Sequence, residues 1–174
     1  AARSPPPTNW PPTWAFPRPR STSGRRAGEP SLCSEWAATS GVINNSSSEP
    51  PHTGGWDAWL DGYGTTHTDT LSQRLNLPTG CSTYTGSFWL HVDTAETTTT
   101  TAYDTLKVQV LNSAGTVLAT LATYSNVNAA SGYALKSLNM NAYIGQTVKV
   151  RFLAAEDSSL ATSFVIDDVT LTVQ

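Results

Sequence analysis

The chain has 174 residues, 39% of them hydrophobic and only 13% charged, which fits one domain with a true core. No run of eighteen apolar residues occurs, so we expect no membrane-spanning helix and no membrane partner. Residues 1–30 carry five arginines and one glutamate, whereas the remainder carries five basic and twelve acidic residues. This acidic remainder has no basic patch, which argues against nucleic acid as a partner.

The first segment, residues 1–35, is rich in proline and arginine. Pro5-Pro6-Pro7 and Pro11-Pro12 forbid a regular helix or a central strand, which predicts an extended linker. The same composition is also that of GC-rich DNA translated in a shifted frame. The segment is therefore either a linker or foreign to the domain that follows.

Cys33 and Cys81 are the only two cysteines, and their spacing matches no zinc motif. In an exported protein they would form one disulfide. Two unpaired thiols are the alternative.

Residues 36–174 alternate between strand and turn patterns with no helical period. The clearest hairpin turn is at 112–115, between two alternating strands. About nine short strands at this spacing predict an all-β fold, a jelly-roll β-sandwich of two antiparallel sheets. The predicted strands are 36–43, 56–60, 68–77, 84–92, 104–111, 117–124, 134–139, 147–153 and 164–173.

An acidic residue interrupts the apolar face of the last strand. Val165, Val169, Leu171 and Val173 share one parity, and Asp167 falls among them. Burying a carboxylate costs several kcal/mol unless a cation or hydrogen-bond donors meet it. Capping of a turn or backbone N–H donors would satisfy Asp167 as well as a cation would.

The same pattern recurs at the start of the strand at 104–111. Leu106, Val108 and Val110 are predicted to face the core, and Asp104 extends that stripe. Two acids on two core stripes suggest a buried site for a calcium ion, which binds oxygen ligands.

The loops 93–104 and 154–163 each join consecutive strands and are predicted to emerge at one end of the sandwich. They would bring Glu96, Glu156 and Asp157 to the same rim as Asp104, which adds three candidate metal ligands. An ordinary solvated acidic loop is the alternative.

A row of polar and aromatic side chains is predicted on the face of the strand 84–92 that points away from the core. Trp89, His91 and Asp93 form this row and would suit sugar or peptide binding. A second layer that covers Trp89 is the alternative.

No recognised catalytic motif occurs in the chain: there is no HExxH, no GxSxG and no phosphate-binding glycine loop. His67 lies two residues from Asp69, which would allow a triad, and Glu96 with Glu156 could in principle cleave glycosides. Any serine-rich β-protein offers as much, so we expect no catalytic residues.

Three segments carry a family resemblance: GWDAWLDGYGTTHTDTLSQ (55–73), FWLHVDTAET (88–97) and EDSSLATSFVIDD (156–168). They resemble the jelly-roll accessory domain of secreted actinobacterial peptidases, which follows a thermolysin-, subtilisin- or sedolisin-type catalytic domain. The sequence Ile166-Asp167-Asp168-Val169 is also similar to the last strand of calcium-bearing carbohydrate-binding jelly rolls. Those jelly rolls open with an Asn-x-Gly-Phe-Glu-like stretch whose glutamate meets the last-strand aspartate at calcium. This chain lacks that opening, and Glu29 or Glu35 could substitute for its glutamate.

The resemblance implies a secreted, non-catalytic domain that docks on an extracellular protein or polysaccharide or stabilises a catalytic domain of the same polypeptide. A structural calcium ion is implied with it. A carbohydrate-binding module is the first alternative and a self-standing hydrolase the second.

Overall fold

The computed structural model describes residues 36–174. The predicted linker at 1–35 and the predicted partner cysteine, Cys33, lie outside this range, so the disulfide stays a prediction. Cys81 itself is half-buried. In the described part of the chain, no helix has the length and apolar character needed to cross a bilayer.

Over residues 36–174 the fold is an all-β sandwich of ten strands with two short 3-10 turns, at Asn126–Asn128 and Asn141–Tyr143. The strands are β1 (Ala37–Ala38), β2 (Ile43–Asn44), β3 (Asp57–Asp61), β4 (His67–Leu77), β5 (Tyr84–Thr94), β6 (Thr105–Leu111), β7 (Val117–Ser125), β8 (Ala134–Asn139), β9 (Gln146–Glu156) and β10 (Thr162–Val173).

The strands form two antiparallel five-stranded sheets that pack face to face. One sheet has the order β1-β4-β9-β6-β7 and the other β2-β3-β10-β5-β8. Sequence neighbours are frequently in different sheets, as in a jelly roll. The predicted fold class is confirmed, and so is the hairpin at 112–115, which joins β6 to β7.

Most predicted strands agree with the observed ones to within one or two residues at each end, and two differ by more. The first predicted strand, 36–43, is two two-residue strands that belong to opposite sheets. Gly41 separates them with φ of +89°, a left-handed conformation that glycine adopts without steric cost. The strand predicted at 147–153 is β9, Gln146–Glu156. Its last inward-facing residue is the acid Glu156, and a prediction based on apolar residues ends before an acid.

The core lies between the sheets and is centred on three fully buried phenylalanines. Phe88 from one sheet meets Phe152 from the other edge-on, with ring centroids 5.0 Å apart. Phe164 of β10 is also fully buried. Edge-to-face contact of this kind adds to the free energy of burial.

The prediction that Asp167 of the last strand faces the core is wrong. Phe164 and Ile166 belong to the core, so Val165 and Asp167 lie on the opposite face of the sheet. The register with β5 then shifts between Asp167 and Thr170. A bulge inserts one residue and reverses the parity, which is why Val169 and Leu171 pack on the core again.

Leucine truncation at two positions tests where the core lies. We expect Leu106→Ala to lower the free energy of unfolding by about 2–5 kcal/mol, because Leu106 is fully buried. Leu118→Ala on the neighbouring strand is the matched control, and its leucine is 46% exposed. It should change stability by less than about 0.5 kcal/mol. Equal losses in chemical denaturation would contradict the assigned core.

Candidate functional site

Three acids close one end of the hydrophobic core. Asp69 of β4 and Glu156 of β9 are buried at the ends of inward-facing stripes, and Asp104 is buried immediately before β6. The register pairs Asp69 with Ala154 and Thr105 with Ala155, so all three acids lie at the same end of one sheet. The predicted inward orientation of Asp104 is confirmed by its full burial.

A fourth acid, Asp61, joins them from the facing sheet. It is the last residue of β3 and has a left-handed backbone with φ of +60°. Gly62 follows with φ of +92°, and a Cβ atom there would stand 2.6 Å from the Ser163 hydroxyl. Only glycine therefore fits the turn that directs Asp61 inward. We call Asp61, Asp69, Asp104 and Glu156 the end cluster.

Glu156 binds the loop that follows β3. Its Oε2 accepts a hydrogen bond from the Tyr63 amide at 3.0 Å, and its Oε1 accepts from the Gly64 amide at 2.9 Å. The Thr162 amide also donates to Oε1, at 3.1 Å. Because three backbone donors meet one carboxylate, its burial is compensated.

Asp104 is satisfied in a similar way. The Asp157 amide donates to its Oδ1 at 2.8 Å, and the Thr162 hydroxyl donates to its Oδ2 at 2.5 Å. Asp69 accepts a hydrogen bond from the Asp61 amide at 3.0 Å, and its other oxygen contacts His67 Nε2 at 3.3 Å.

Among residues 36–174 the Asp61 carboxylate has no hydrogen-bond partner on either oxygen, although only 4% of the residue is exposed. Its burial and the charges of Asp69, Glu156 and Asp104 raise its pKa from 3.8 to about 8. Among residues 36–174 the basic side chain in contact with the cluster is His67.

Exposed apolar side chains surround the end cluster. The loops between β3 and β4, β5 and β6, and β9 and β10 all leave the sandwich at this end. They carry Tyr63, Tyr103 and Leu160, which are 54%, 49% and 49% exposed. We call these three residues the exposed rim. The Tyr63 ring lies on His67, with centroids 3.9 Å apart.

A second acidic group lies on the outer face of the other sheet. Asp57 of β3 is fully buried there with neither oxygen hydrogen-bonded. Its burial first, and then the charges of Asp167 and Glu49, raise its pKa from 3.8 to about 7. We call Glu49, Asp57 and Asp167 the outer cluster.

Asp167 is buried as predicted, but main-chain donors satisfy it. The Thr53 amide donates to Oδ2 at 2.9 Å and the Asp168 amide to Oδ1 at 2.7 Å. Asp168 accepts from the Thr53 hydroxyl at 2.7 Å and contacts His52 Nδ1 at the same distance. The segment that precedes β3 therefore covers this face, and Asp167 alone requires no ion.

The structure separates Asp167 from the other four predicted metal ligands. Thr162, which contacts Asp104, and Asp167 are five residues apart on β10, a separation of about 17 Å in an extended strand. The predicted single site is thus two clusters. Partial desolvation and the charges of Asp104 and Asp157 raise the pKa of Glu96, so these three acids do share one rim.

The predicted binding row lies on the outer face of β5, as its parity indicated, and is partly covered. The His52 ring stacks on Trp89 with centroids 4.0 Å apart. His91 Nδ1 is 3.0 Å from the Gly132 carbonyl oxygen, and Asp93 is exposed. Trp89 is half-buried beneath the loop that carries His52. The predicted covering layer is present, and it comes from this loop.

Four residues of the two clusters were not predicted as metal ligands: Asp61, Asp57, Glu49 and Asp69, the last of which was considered only beside His67 in a triad. Asp57 and Asp61 are on one short strand whose parity alone does not reveal a buried acid. Glu49 had a signal, because Asn45 and Glu49 have the same separation as the Asn and Glu of the expected opening motif. Within residues 36–174, no three His, Cys, Asp or Glu side chains already stand in a metal-binding arrangement.

Comparisons with known proteins place the fold. No family model and no curated protein matches the chain. The solved structure of TmCBM61 in complex with beta-1,4-galactotriose is similar, with 18% identity, a TM-score of 0.52, and coverage of 80% of this chain and 88% of that one. A carbohydrate-binding module from the beta-sandwich superfamily matches at 11% identity and a TM-score of 0.52, over 79% and 56% of the two chains.

The K3 cleaved adhesin domain of Lys-gingipain from Porphyromonas gingivalis is also similar. Its identity is 17% and its TM-score 0.50, with coverage of 79% of this chain and 90% of that one. At such identities the likeness shows the fold alone. The chain has the β-sandwich fold of carbohydrate-binding modules.

The pKa of Asp57 predicts a pH-dependent stability of the metal-free chain. Between pH 3.8 and about 7 the folded state keeps a proton on Asp57 that the unfolded state has lost. In a chelating buffer, Asp57 should therefore make stability fall as pH rises through this window, by up to about 1.4 kcal/mol per pH unit, and Asp61 should add to the slope in the same direction. Asp57→Asn should make the profile less steep, whereas Asp93→Asn should not. Parallel profiles for wild type and Asp57→Asn in urea titrations would contradict the assignment.

Proposed function

We propose that this chain is a non-catalytic binding domain for a carbohydrate polymer, exported as part of a secreted hydrolase. The exposed rim above the end cluster is the observation that carries the proposal. Sugar rings bind on aromatic faces, and their hydroxyl groups donate hydrogen bonds to carboxylates. The rim supplies the first of these features, and the half-exposed carboxylates of Glu96 and Asp157 at the same end of the sandwich supply the second.

The rim is concentrated at one end of the sandwich. Tyr63 and Tyr103 are the most exposed aromatic side chains in the described part of the chain, and both flank the end cluster. Glu156 holds the Tyr63 backbone, and the Asn126 side chain accepts a hydrogen bond from the Tyr103 amide at 2.9 Å. Both rings are thus presented from anchored backbone, which limits the entropy lost on binding.

The buried acids of the end cluster are placed for a structural role instead of acid–base catalysis. Glu156 and Asp104 each accept backbone donors on fixed geometry, which ties both side chains to the adjoining loops. Casein and chromogenic glycosides should therefore not be turned over. Attachment to a peptidase is supported by the resemblance of the segments 55–73, 88–97 and 156–168.

Affinity electrophoresis in polysaccharide gels tests the binding role. We expect Tyr63→Ala to reduce the affinity read from the retardation by about five- to thirtyfold, because loss of a stacked ring costs about 1–2 kcal/mol. Leu118→Ala, at the opposite end of the sandwich, is the control and should bind like wild type. Trp89→Ala tests the alternative site on β5. Loss of binding in Trp89→Ala with full binding in Tyr63→Ala would move the site to the outer face, and no retardation in a panel of polysaccharides would contradict the function.

A structural calcium ion at the outer cluster is the second part of the proposal. Asp57 has two oxygens without a partner and lies beside Asp167 and Glu49, so oxygen ligands are available. The ion would neutralise acids that pack between β3 and the covering loop.

Chelation tests this ion. Treatment with EGTA should lower the melting temperature, and added calcium should restore it, because an ion bound only by the folded state stabilises it. The response should be smaller in Asp57→Asn than in Asp93→Asn. An unchanged melting curve on chelation would contradict the proposal.

A further inference from the structure

The Asp61 carboxyl group lies in the end cluster, and no residue among 36–174 donates a hydrogen bond to it. The residue is 96% buried, neither oxygen has a hydrogen-bond partner in the described part of the chain, and the charges that act on it are those of Asp69, Glu156 and Asp104. A carboxylate in this position is strongly unfavourable unless it is neutralised.

The neighbouring acids accept hydrogen bonds from other groups, whereas Asp61 does not. Backbone amides or a hydroxyl donate to both oxygens of Asp104 and of Glu156. Asp69 has the Asp61 amide as one donor, the Tyr63 side chain as a second, and a contact with His67 that at 3.3 Å is longer than an ordinary hydrogen bond. Within residues 36–174 the two oxygens of the cluster without any donor are therefore those of Asp61, and Asp69 Oδ1 has the long contact with His67.

A proton and a metal cation differ in how many of the two Asp61 oxygens they bind. A proton on Asp61 would fill one oxygen and leave the other without a donor. A cation would be bound by both oxygens at once, as calcium is by bidentate carboxylates. The hydrogen bond from the Asp61 amide holds the Asp69 carboxylate against the Asp61 backbone, and Asp69 is the acid whose charge acts most strongly on the Asp61 carboxyl group, so one cation could be shared by the two residues.

We propose that the end cluster is a second calcium site, with both Asp61 oxygens and Asp69 Oδ1 as its side-chain ligands. It is distinct from the outer cluster, because Asp57 and Asp61 are four residues apart on β3, a separation of about 13 Å. The site joins β3 of one sheet to β4 of the other at the point where the core ends.

The site also sits beneath the exposed rim. Tyr63 follows Asp61 by two residues, and its amide is held by Glu156 of the same cluster. A bound ion would fix the left-handed turn at Asp61 and with it the position of the Tyr63 ring. The ion itself does not depend on carbohydrate binding, and its test needs no carbohydrate.

The experiment uses the Asp57→Asn variant as background, so that the outer cluster does not contribute. After removal of metal ions, calcium chloride at a saturating concentration should raise the melting temperature of this variant by roughly 5–10 °C. Addition of Asp61→Asn should abolish the increase. Addition of Asp93→Asn, which removes an exposed carboxylate instead, should preserve it.

Asp61→Asn also separates the ion from a structural role of the side chain. Without calcium it should melt at or above the temperature of its parent, because it removes an acid that is buried beside three other acids. If the Asp57→Asn background does not fold, calorimetric titration of the wild type should give two calcium ions per chain and that of Asp61→Asn one. One ion in both proteins, or an equal calcium response with and without Asp61→Asn, would overturn the proposal.

Discussion

The structure depends on the way the hydrophobic core ends. Three inward-facing rows of side chains in one sheet end in an acid, at Asp69, Asp104 and Glu156. Asp61 meets these acids from the opposite sheet. Burying four carboxylates together is costly because their charges repel in a medium that screens poorly. Donors from the adjoining loops compensate most of this cost. The burial of the acids consequently depends on the folded conformation of the loops that donate hydrogen bonds to them.

This arrangement couples the interior to the surface. The same hydrogen bonds that satisfy Glu156 fix the backbone of Tyr63, and those that satisfy Asp104 fix the loop at Asp157. Aromatic rings that would otherwise lie on mobile loops are carried by backbone tied to the core. On the outer face, Asp167 plays the corresponding part, because its hydrogen bond from Thr53 holds the loop that covers Trp89.

The alternation of side chains along a strand predicts which face a residue lies on where the strand is regular. It fails where a bulge or a turn exchanges the two faces. The strand at Ala134–Asn139 and the inward position of Asp104 follow from alternation alone. Asp167 was assigned to the wrong face because a bulge after it changes the parity, and nothing in the local pattern marks that bulge. Asp61 was missed because its inward direction comes from a left-handed turn and a close approach at Gly62.

The central claim is that the buried carboxylate of Asp61 is neutralised by an ion at the end of the core. Anomalous diffraction from crystals grown with a calcium-mimicking lanthanide measures this directly. The account predicts a peak about 2.3–2.6 Å from both Asp61 carboxylate oxygens. Electron density without a peak there, with the Asp61 carboxyl hydrogen-bonded to a neighbouring acid, would contradict it.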